Sequence, residues 1–258
     1  MQSRPMLVWL AVMWLLTGGA RDALAQAERP FQIRGQSVTL RIYGKEGGAP
    51  VVVASGDGGW LHLGPRTAEL LARSGYFVVG LDSKQYLSVF TSGSVTLKPE
   101  DVPGDFKLLA DYAASKGNGT KPVLVGVSEG AGLAVLAAAD ALLKPAVSGV
   151  VGLGLPDINE LGWRWRDAII YLTHKVPNEP TFSVEQIIDR VAPLPLAALH
   201  ATGDEFVSVP TIRRIMAKAR EPKKLWVIEA SDHQFSGNQK EFEARLREAL
   251  DWIKSHPR

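Results

Sequence analysis

The chain has 258 residues, of which 46% are hydrophobic and 22% are charged, enough for one sizeable α/β domain and short for two independent enzymatic domains. The formal net charge is only +2 and the basic residues form no run of five or more, so nothing indicates a nucleic-acid-binding surface. Cysteine is absent, which excludes disulfides, thiolate catalysis and lipid attachment through a cysteine.

The N-terminus has the layout of a secretory signal peptide. Arg4 precedes an apolar stretch from Met6 to Leu16, and small residues then lead to Ala23-Leu24-Ala25. The apolar stretch is shorter than the ~20 residues of a membrane-spanning helix, although an uncleaved anchor is the alternative. We therefore predict a signal peptide over residues 1–25, cleavage after Ala25, and a periplasmic or secreted single domain over residues 26–258.

Apolar runs alternate with segments of helical spacing along most of the chain. Strands are predicted over residues 51–55, 76–81, 123–125, 147–153, 196–200 and 225–228, after an edge strand that ends at residues 37–43. Helices are predicted over residues 64–74, 106–113, 131–143, 212–219 and 241–253, and a polar loop after residue 83. This alternation predicts a mostly parallel, doubly wound α/β sheet with right-handed crossovers.

Residues 156–195 interrupt the alternation with five prolines around one helical stretch. An insertion after the sixth strand can cover the carboxyl edge of the sheet as a lid or cap, so we predict a short helical lid there. An ordinary surface helix whose tryptophans fill the core is the alternative.

A possible nucleophile lies between the strand at 123–125 and the alanine-rich helix. Gly126-Val127-Ser128-Glu129-Gly130 fits the Gly-x-Ser-x-Gly elbow, in which a serine sits on a sharp strand-to-helix turn. The small residues two positions on either side allow strand and helix to approach closely.

The same glycines also fit a dinucleotide-binding turn, and Tyr112 and Lys116 have the Tyr-x-x-x-Lys spacing of short-chain dehydrogenases. In that family the pair follows the glycine turn, whereas here it precedes the turn. No acidic residue ends a following strand at the spacing of about 20 that would hold a ribose. Metal-binding and phosphate-loop motifs are also absent from the sequence. We therefore expect neither a cofactor nor a metal.

A serine needs a base, and the base needs an orienting carboxylate. Asp204 follows the strand at 196–200, and His233 follows the strand at 225–228. Loops after the carboxyl ends of parallel strands share one edge of the sheet, and Ser…Asp…His is the order of α/β-hydrolases. We therefore predict a triad of Ser128, Asp204 and His233. Other candidates are His62, His174, His200 and His256 for the base, and Glu205 and Asp232 for the carboxylate.

An oxyanion hole is predicted from a glycine-rich loop that follows the strand at 51–55. The N–H of Glu129 and one from Asp57 or Gly58 would stabilise the negative oxygen of the tetrahedral intermediate. Trp60 ends this loop and is a predicted substrate contact.

Three stretches together resemble the VirJ/AcvB family of exported bacterial α/β-hydrolase-like proteins, over roughly residues 50–235. They are Ser55-Gly56-Asp57-Gly58-Gly59-Trp60, Val78-Val79-Gly80-Leu81-Asp82-Ser83 and the elbow at 126–130. The resemblance implies a periplasmic serine hydrolase that uses Ser128, Asp204 and His233. Family members are linked to removal of the aminoacyl group from aminoacyl-phosphatidylglycerol and, in plant-associated bacteria, to virulence and type IV secretion.

Glu129 departs from the aromatic residue that we associate with the family at this position. The departure affects substrate preference more than fold, because the backbone N–H is retained. For an aminoacylated phospholipid at a membrane surface, Asp57 or Glu129 is a candidate partner for the amine, and Arg164 or Arg166 for the phosphate. The alternative to an ester hydrolase is a non-catalytic periplasmic binding or scaffold protein linked to virulence. The sequence carries no indication of the oligomeric state.

Overall fold

The computed structural model describes residues 27–164 and 179–256. The predicted signal peptide and its cleavage site lie outside the described residues. The central part of the predicted lid, including its proposed helix from Trp165 onward, also lies outside them.

An eight-stranded sheet forms the centre of the fold, in the order β1-β2-β4-β3-β5-β6-β9-β10. The strands of this sheet are β1 (Ala27–Ile33), β2 (Gln36–Tyr43), β3 (Ala49–Ala54), β4 (Tyr76–Leu81), β5 (Val123–Val127), β6 (Gly149–Leu153), β9 (Leu196–Ala201) and β10 (Lys223–Ile228). β2 is antiparallel to both β1 and β4, and the other neighbours are parallel. The predicted mostly parallel α/β sheet is therefore confirmed.

Helices cover both faces of the sheet, as a doubly wound fold requires. They are α1 (Leu63–Arg73), α2 (Ser83–Val89), α3 (Val102–Lys116), α4 (Glu129–Ala139), α5 (Val209–Lys218) and α6 (Gln239–Lys254), with 3-10 turns at Lys144–Ala146, Val184–Gln186 and Ile188–Val191. One apolar core lies between the sheet and α3, α4 and α5. The second core lies between the opposite face and α1 and α6.

The described beginning and end of the segment after β6 pair with each other. β7 (Ile158–Glu160) pairs with β8 (Thr181–Ser183) in an antiparallel two-stranded sheet. Asn159 is fully buried, and its side chain occupies the space where a Cβ on Gly132 of α4 would lie. This two-stranded sheet is thus packed against the start of α4.

Two local predictions were wrong. The predicted edge strand at residues 37–43 is β2, which lies between β1 and β4 because a tight turn at Arg34 and Gly35 adds β1 outside it. The predicted polar loop after residue 83 contains α2, whose first turn is capped by Asp82 accepting a hydrogen bond from the Gln85 N–H at 3.1 Å. A capped helix of only seven residues and mixed polarity has little periodicity to reveal it.

Trp60 anchors the glycine-rich loop after β3 to the core. Its indole N–H donates to the Tyr43 hydroxyl at 3.0 Å, and its ring lies directly on Gly80 of β4. A Cβ on Gly80 would approach the Trp60 ring to 2.3 Å. Trp60 is therefore a buried core residue whose packing determines where the loop lies.

We predict that Gly80→Ala lowers the free energy of unfolding by about 1–3 kcal/mol, because the new methyl group displaces the Trp60 ring. Gly104→Ala is the matched control, since Gly104 lies in α3 and a Cβ there meets no atom within 4 Å. It should be neutral or stabilising by up to about 1 kcal/mol. Urea denaturation of wild type and of both variants measures these changes in the free energy of unfolding. Equal stabilities would contradict the packing role of Trp60.

Candidate active site

A cavity of about 500 Å³ lies at the carboxyl edge of the parallel strands. Its walls come from the loops after β3, β5, β6, β9 and β10, which is the edge where ligands bind in open α/β sheets. Ser128 and His233 both line it, together with Asp57, Glu129 and Glu160.

Ser128 occupies a strained backbone position between β5 and α4. Its φ is 50° and its ψ is −118°, a combination that costs free energy for a residue with a side chain. Its N–H donates to the Leu153 carbonyl at 2.9 Å, which fixes the turn to the end of β6. The surrounding fold thus holds a half-buried serine at the cavity wall.

Asp204 and His233 form a short hydrogen bond. His233 Nδ1 lies 2.7 Å from Asp204 Oδ2, and both side chains are almost fully buried. The other carboxylate oxygen of Asp204 accepts hydrogen bonds from the N–H groups of Phe206 and Val207, each at 2.9 Å. Burial alone would raise the pKa of Asp204, but the bonds from His233 and from these two N–H groups outweigh it and lower that pKa.

The His233 ring is held from several sides. It lies against Gly154, where a Cβ would approach its Cε1 to 2.3 Å, and the Phe206 ring packs edge-on at 5.4 Å between centroids. Because Gly154 follows Leu153, the residue that accepts from the Ser128 N–H, the histidine and the serine are both fixed to the end of β6. In the described part of the chain His233 Nε2 is buried and has no hydrogen-bond partner.

The rival acids and histidines have structural contacts of their own. Glu205 accepts the backbone N–H of His233 at 2.9 Å, and Asp232 accepts two N–H groups of its own turn. His200 is fully buried, with Nε2 at 2.8 Å from the Val207 carbonyl. His62 lines the cavity at the start of α1. Among the acids, Asp204 is the one that contacts the His233 ring nitrogen.

The predicted oxyanion donors come from the loop after β3 and from the first residue of α4, and both line the cavity beside Ser128. The Gly58 N–H donates to the Asp57 carboxylate at 2.8 Å and is therefore engaged. Within residues 27–164 and 179–256, the backbone N–H groups of Asp57 and Glu129 donate to no acceptor. Asp57 and Glu129 are thus the better-placed pair of the three predicted donors.

The Glu129 side chain is buried at the cavity wall, with 6% of its surface exposed. Its Oε1 accepts the Glu160 N–H of β7 at 2.8 Å. Burial, followed by the charges of Asp57 and Glu160, raises the pKa of Glu129 well above its ordinary value. Sequence reasoning missed Glu160, because nothing in a three-residue strand beyond β6 indicates that it folds back onto the nucleophile turn.

The remaining predicted substrate contacts lie elsewhere. Trp60 lies in the core under the loop and not at the cavity, because its ring fills the space over Gly80. Arg164 forms an ion pair with Glu179 and donates to the Gly93 carbonyl at 2.7 Å, so its guanidinium is engaged away from the cavity lining. Arg166 lies outside the described residues.

Within residues 27–164 and 179–256, no helix is both long enough and apolar enough to cross a bilayer. Nor do their histidine and acidic side chains converge in any group of three or more that could hold a metal ion.

The sheet order and the loops at its carboxyl edge define the α/β-hydrolase fold. Solved structures share it at low sequence identity. A hypothetical protein from Pseudomonas aeruginosa has a TM-score of 0.65 at 14% identity, covering 98% of this chain and 100% of its own. An esterase from Pyrococcus furiosus has a TM-score of 0.64 at 16% identity, covering 88% of this chain and 90% of its own. A membrane phospholipase A, described as a bacterial virulence factor, has a TM-score of 0.64 at 15% identity, covering 91% of this chain and 88% of its own.

A family model also matches the sequence. The model of the bacterial virulence protein (VirJ) family matches residues 49–156, a segment that includes the glycine-rich loop and the Ser128 turn. The predicted resemblance to this family is thereby confirmed. A comparison with curated proteins finds no match.

We predict that Glu129→Gln raises the free energy of unfolding relative to wild type, by an amount that grows as the pH rises. In the unfolded chain Glu129 ionises near its ordinary pKa of about 4.3, but in the fold it stays protonated to higher pH. The unfolded state therefore binds fewer protons in that window, and wild-type stability falls by up to about 1.4 kcal/mol per pH unit from this group.

Urea denaturation at pH 4.5 and pH 7.5 measures this effect. The stability difference between Glu129→Gln and wild type should grow between the two values, whereas exposed Glu100→Gln should show no such growth. A constant difference for Glu129→Gln would contradict the raised pKa.

Proposed function

We propose that the protein is a serine hydrolase that cleaves carboxylic esters with Ser128, His233 and Asp204. The observation that carries the proposal is the 2.7 Å bond from His233 Nδ1 to Asp204. The other ring nitrogen of His233, Nε2, has no hydrogen-bond partner among the described residues. Both His233 and Ser128 line the cavity. This division of roles between the two ring nitrogens is what a general base next to a serine requires.

The chemistry follows from the tautomer. With Nδ1–H donated to Asp204, Nε2 carries the lone pair and takes the proton from the Ser128 hydroxyl as its oxygen attacks the ester carbonyl. The N–H groups of Glu129 and Asp57 stabilise the negative oxygen. His233 then returns the proton to the departing alcohol. A water molecule, deprotonated by the same nitrogen, hydrolyses the acyl-enzyme and restores Ser128.

The lowered pKa of Asp204 suits this role. The carboxylate stays ionised at neutral pH and stabilises the imidazolium that forms when His233 accepts the proton. Glu205 holds the backbone of His233, so both the ring and its main chain are positioned before substrate arrives.

The substrate that we propose is the aminoacyl ester of aminoacyl-phosphatidylglycerol, met at a membrane surface. The VirJ match over residues 49–156 supports this choice. So does an apolar rim around the cavity, formed by Leu61, Ile158 and Phe206, which are 60%, 56% and 66% exposed. Exposed apolar groups at a cavity mouth suit a substrate with an apolar portion. The N-terminal pattern supports export, to the periplasm or beyond.

We expect Ser128→Ala to lose turnover of a short-chain aryl ester almost completely, and Asp204→Asn to lower kcat by about 10⁴ because His233 loses its orienting partner. Ser115→Ala, an exposed serine on α3, is the matched control. Hydrolysis of 4-nitrophenyl butyrate, and of lysyl- and alanyl-phosphatidylglycerol in vesicles, measures the effect.

Covalent labelling by a fluorophosphonate probe gives an independent measurement. Labelling should require Ser128 and His233 and persist in Ser115→Ala. Equal turnover by wild type and Ser128→Ala would overturn the enzyme proposal. Unlabelled protein that still captures a partner would favour the scaffold alternative. Turnover of the aryl ester without any action on the lipids would reject the lipid and retain the esterase.

A further inference from the structure

Ser55 is a fully buried serine directly after β3, and the proposed reaction does not use it. It opens the glycine-rich loop, and its backbone N–H donates to the Leu81 carbonyl at 3.0 Å. Its hydroxyl accepts a hydrogen bond from the Ser83 N–H at 3.1 Å and donates one to the Gly56 carbonyl at 3.2 Å. The side chain therefore joins the start of the loop to the chain that follows β4.

The Gly56 carbonyl is held by two donors. Besides the Ser55 hydroxyl, the Gly59 N–H donates to the same oxygen at 3.0 Å. A peptide group is planar and trans, so the Gly56 carbonyl and the N–H of the next residue, Asp57, point in opposite directions. Fixing the carbonyl towards Ser55 and Gly59 therefore also fixes the direction of the Asp57 N–H.

This peptide group lies against the nucleophile turn. A Cβ on Gly56 would lie 3.4 Å from Ser128 Cβ, and Gly56, Asp57 and Ser128 all line the cavity. The Asp57 N–H donates to no acceptor among the described residues. Glycine restricts the backbone very little, so the peptide group beside Gly56 needs other contacts to keep one orientation.

We propose that Ser55 is a positioning residue, which keeps the Asp57 N–H directed at the negative oxygen that forms when Ser128 attacks. The inference rests on the proposed ester hydrolysis for its reaction and adds the side chain that prepares the oxyanion donor before substrate arrives. A donor that is already oriented stabilises the transition state without any reorganisation. Because the Ser83 N–H uses a lone pair of the hydroxyl, the hydroxyl hydrogen remains for the Gly56 carbonyl.

Ser55 could instead act only as a structural link between the chain ends that follow β3 and β4. In that case Ser55→Ala lowers the stability of the protein but leaves the turnover of the folded enzyme unchanged. A positioning role predicts a lower kcat at constant KM, because the negative oxygen is present in the transition state and not in the bound ester.

Hydrolysis of 4-nitrophenyl butyrate separates the two roles. We expect Ser55→Ala to lower kcat by about tenfold to a hundredfold and to leave KM within about twofold of wild type. The expected loss is smaller than the ~10²–10³ for removal of a whole oxyanion donor, since the Gly59 N–H still holds the Gly56 carbonyl. An unchanged kcat in Ser55→Ala overturns the proposal.

Ser148→Ala is the matched control. It also removes a hydroxyl that donates to a backbone carbonyl, that of Pro122 at 3.1 Å. Ser148 precedes β6, so it lies at the opposite edge of the sheet from the cavity. The variant should keep the kcat of wild type.

Hydrogen exchange of the Gly59 N–H, followed by NMR, tests the positioning without any turnover. Relative to the β5 amides, which report global stability, this N–H should exchange about tenfold faster in Ser55→Ala than in wild type or Ser148→Ala. If wild type hydrolyses no ester but this difference is present, the proposed function fails and the positioning of the Gly56 carbonyl stands. Unchanged exchange of the Gly59 N–H rejects the positioning role, whatever the turnover.

Discussion

The close contact between α4 and the sheet is the constraint on which the rest of the site depends. A Cβ on Gly126 would lie 2.3 Å from Ala131 Cα, and one on Gly130 would lie 2.3 Å from the Ser55 carbonyl. With the helix this close, the chain can pass from β5 to α4 only through a sharp turn. Ser128 therefore takes a positive φ, and the Glu129 N–H is left at the cavity without an acceptor in the described chain.

The same contact organises the other walls. Ser128 is tied to the end of β6 through Leu153, and Gly154 beside it makes room for the His233 ring. On the far side, β7 is attached to the start of α4 through Glu129 and through Asn159 over Gly132. Strands from distant parts of the sequence thus meet around one turn. The cavity that His233, Asp57, Glu129 and Glu160 line follows from this arrangement.

Much of the fold was predictable because its signals are local. Residues 76–81 and the alanine-rich stretch after Gly130 are continuous apolar runs, of lengths typical of a buried strand and a buried helix, and they are β4 and α4 in the structure. The errors occurred where the signal is weak or non-local. β1 is largely exposed, so its pattern could not show that it adds a strand outside β2, and α2 is too short to have a clear period.

The sequence by itself determined the order of the elements, the glycine spacing around Ser128 and the positions of Asp204 and His233 after parallel strands, because these features depend on short stretches of chain. Only the tertiary structure decided which acid meets which histidine, that Trp60 lies in the core, and that Glu160 reaches Glu129. Each of these is a contact between residues far apart in sequence, set by loop paths and by the space left over a glycine. Such contacts cannot be predicted from the periodicity or the spacing of residues in the sequence.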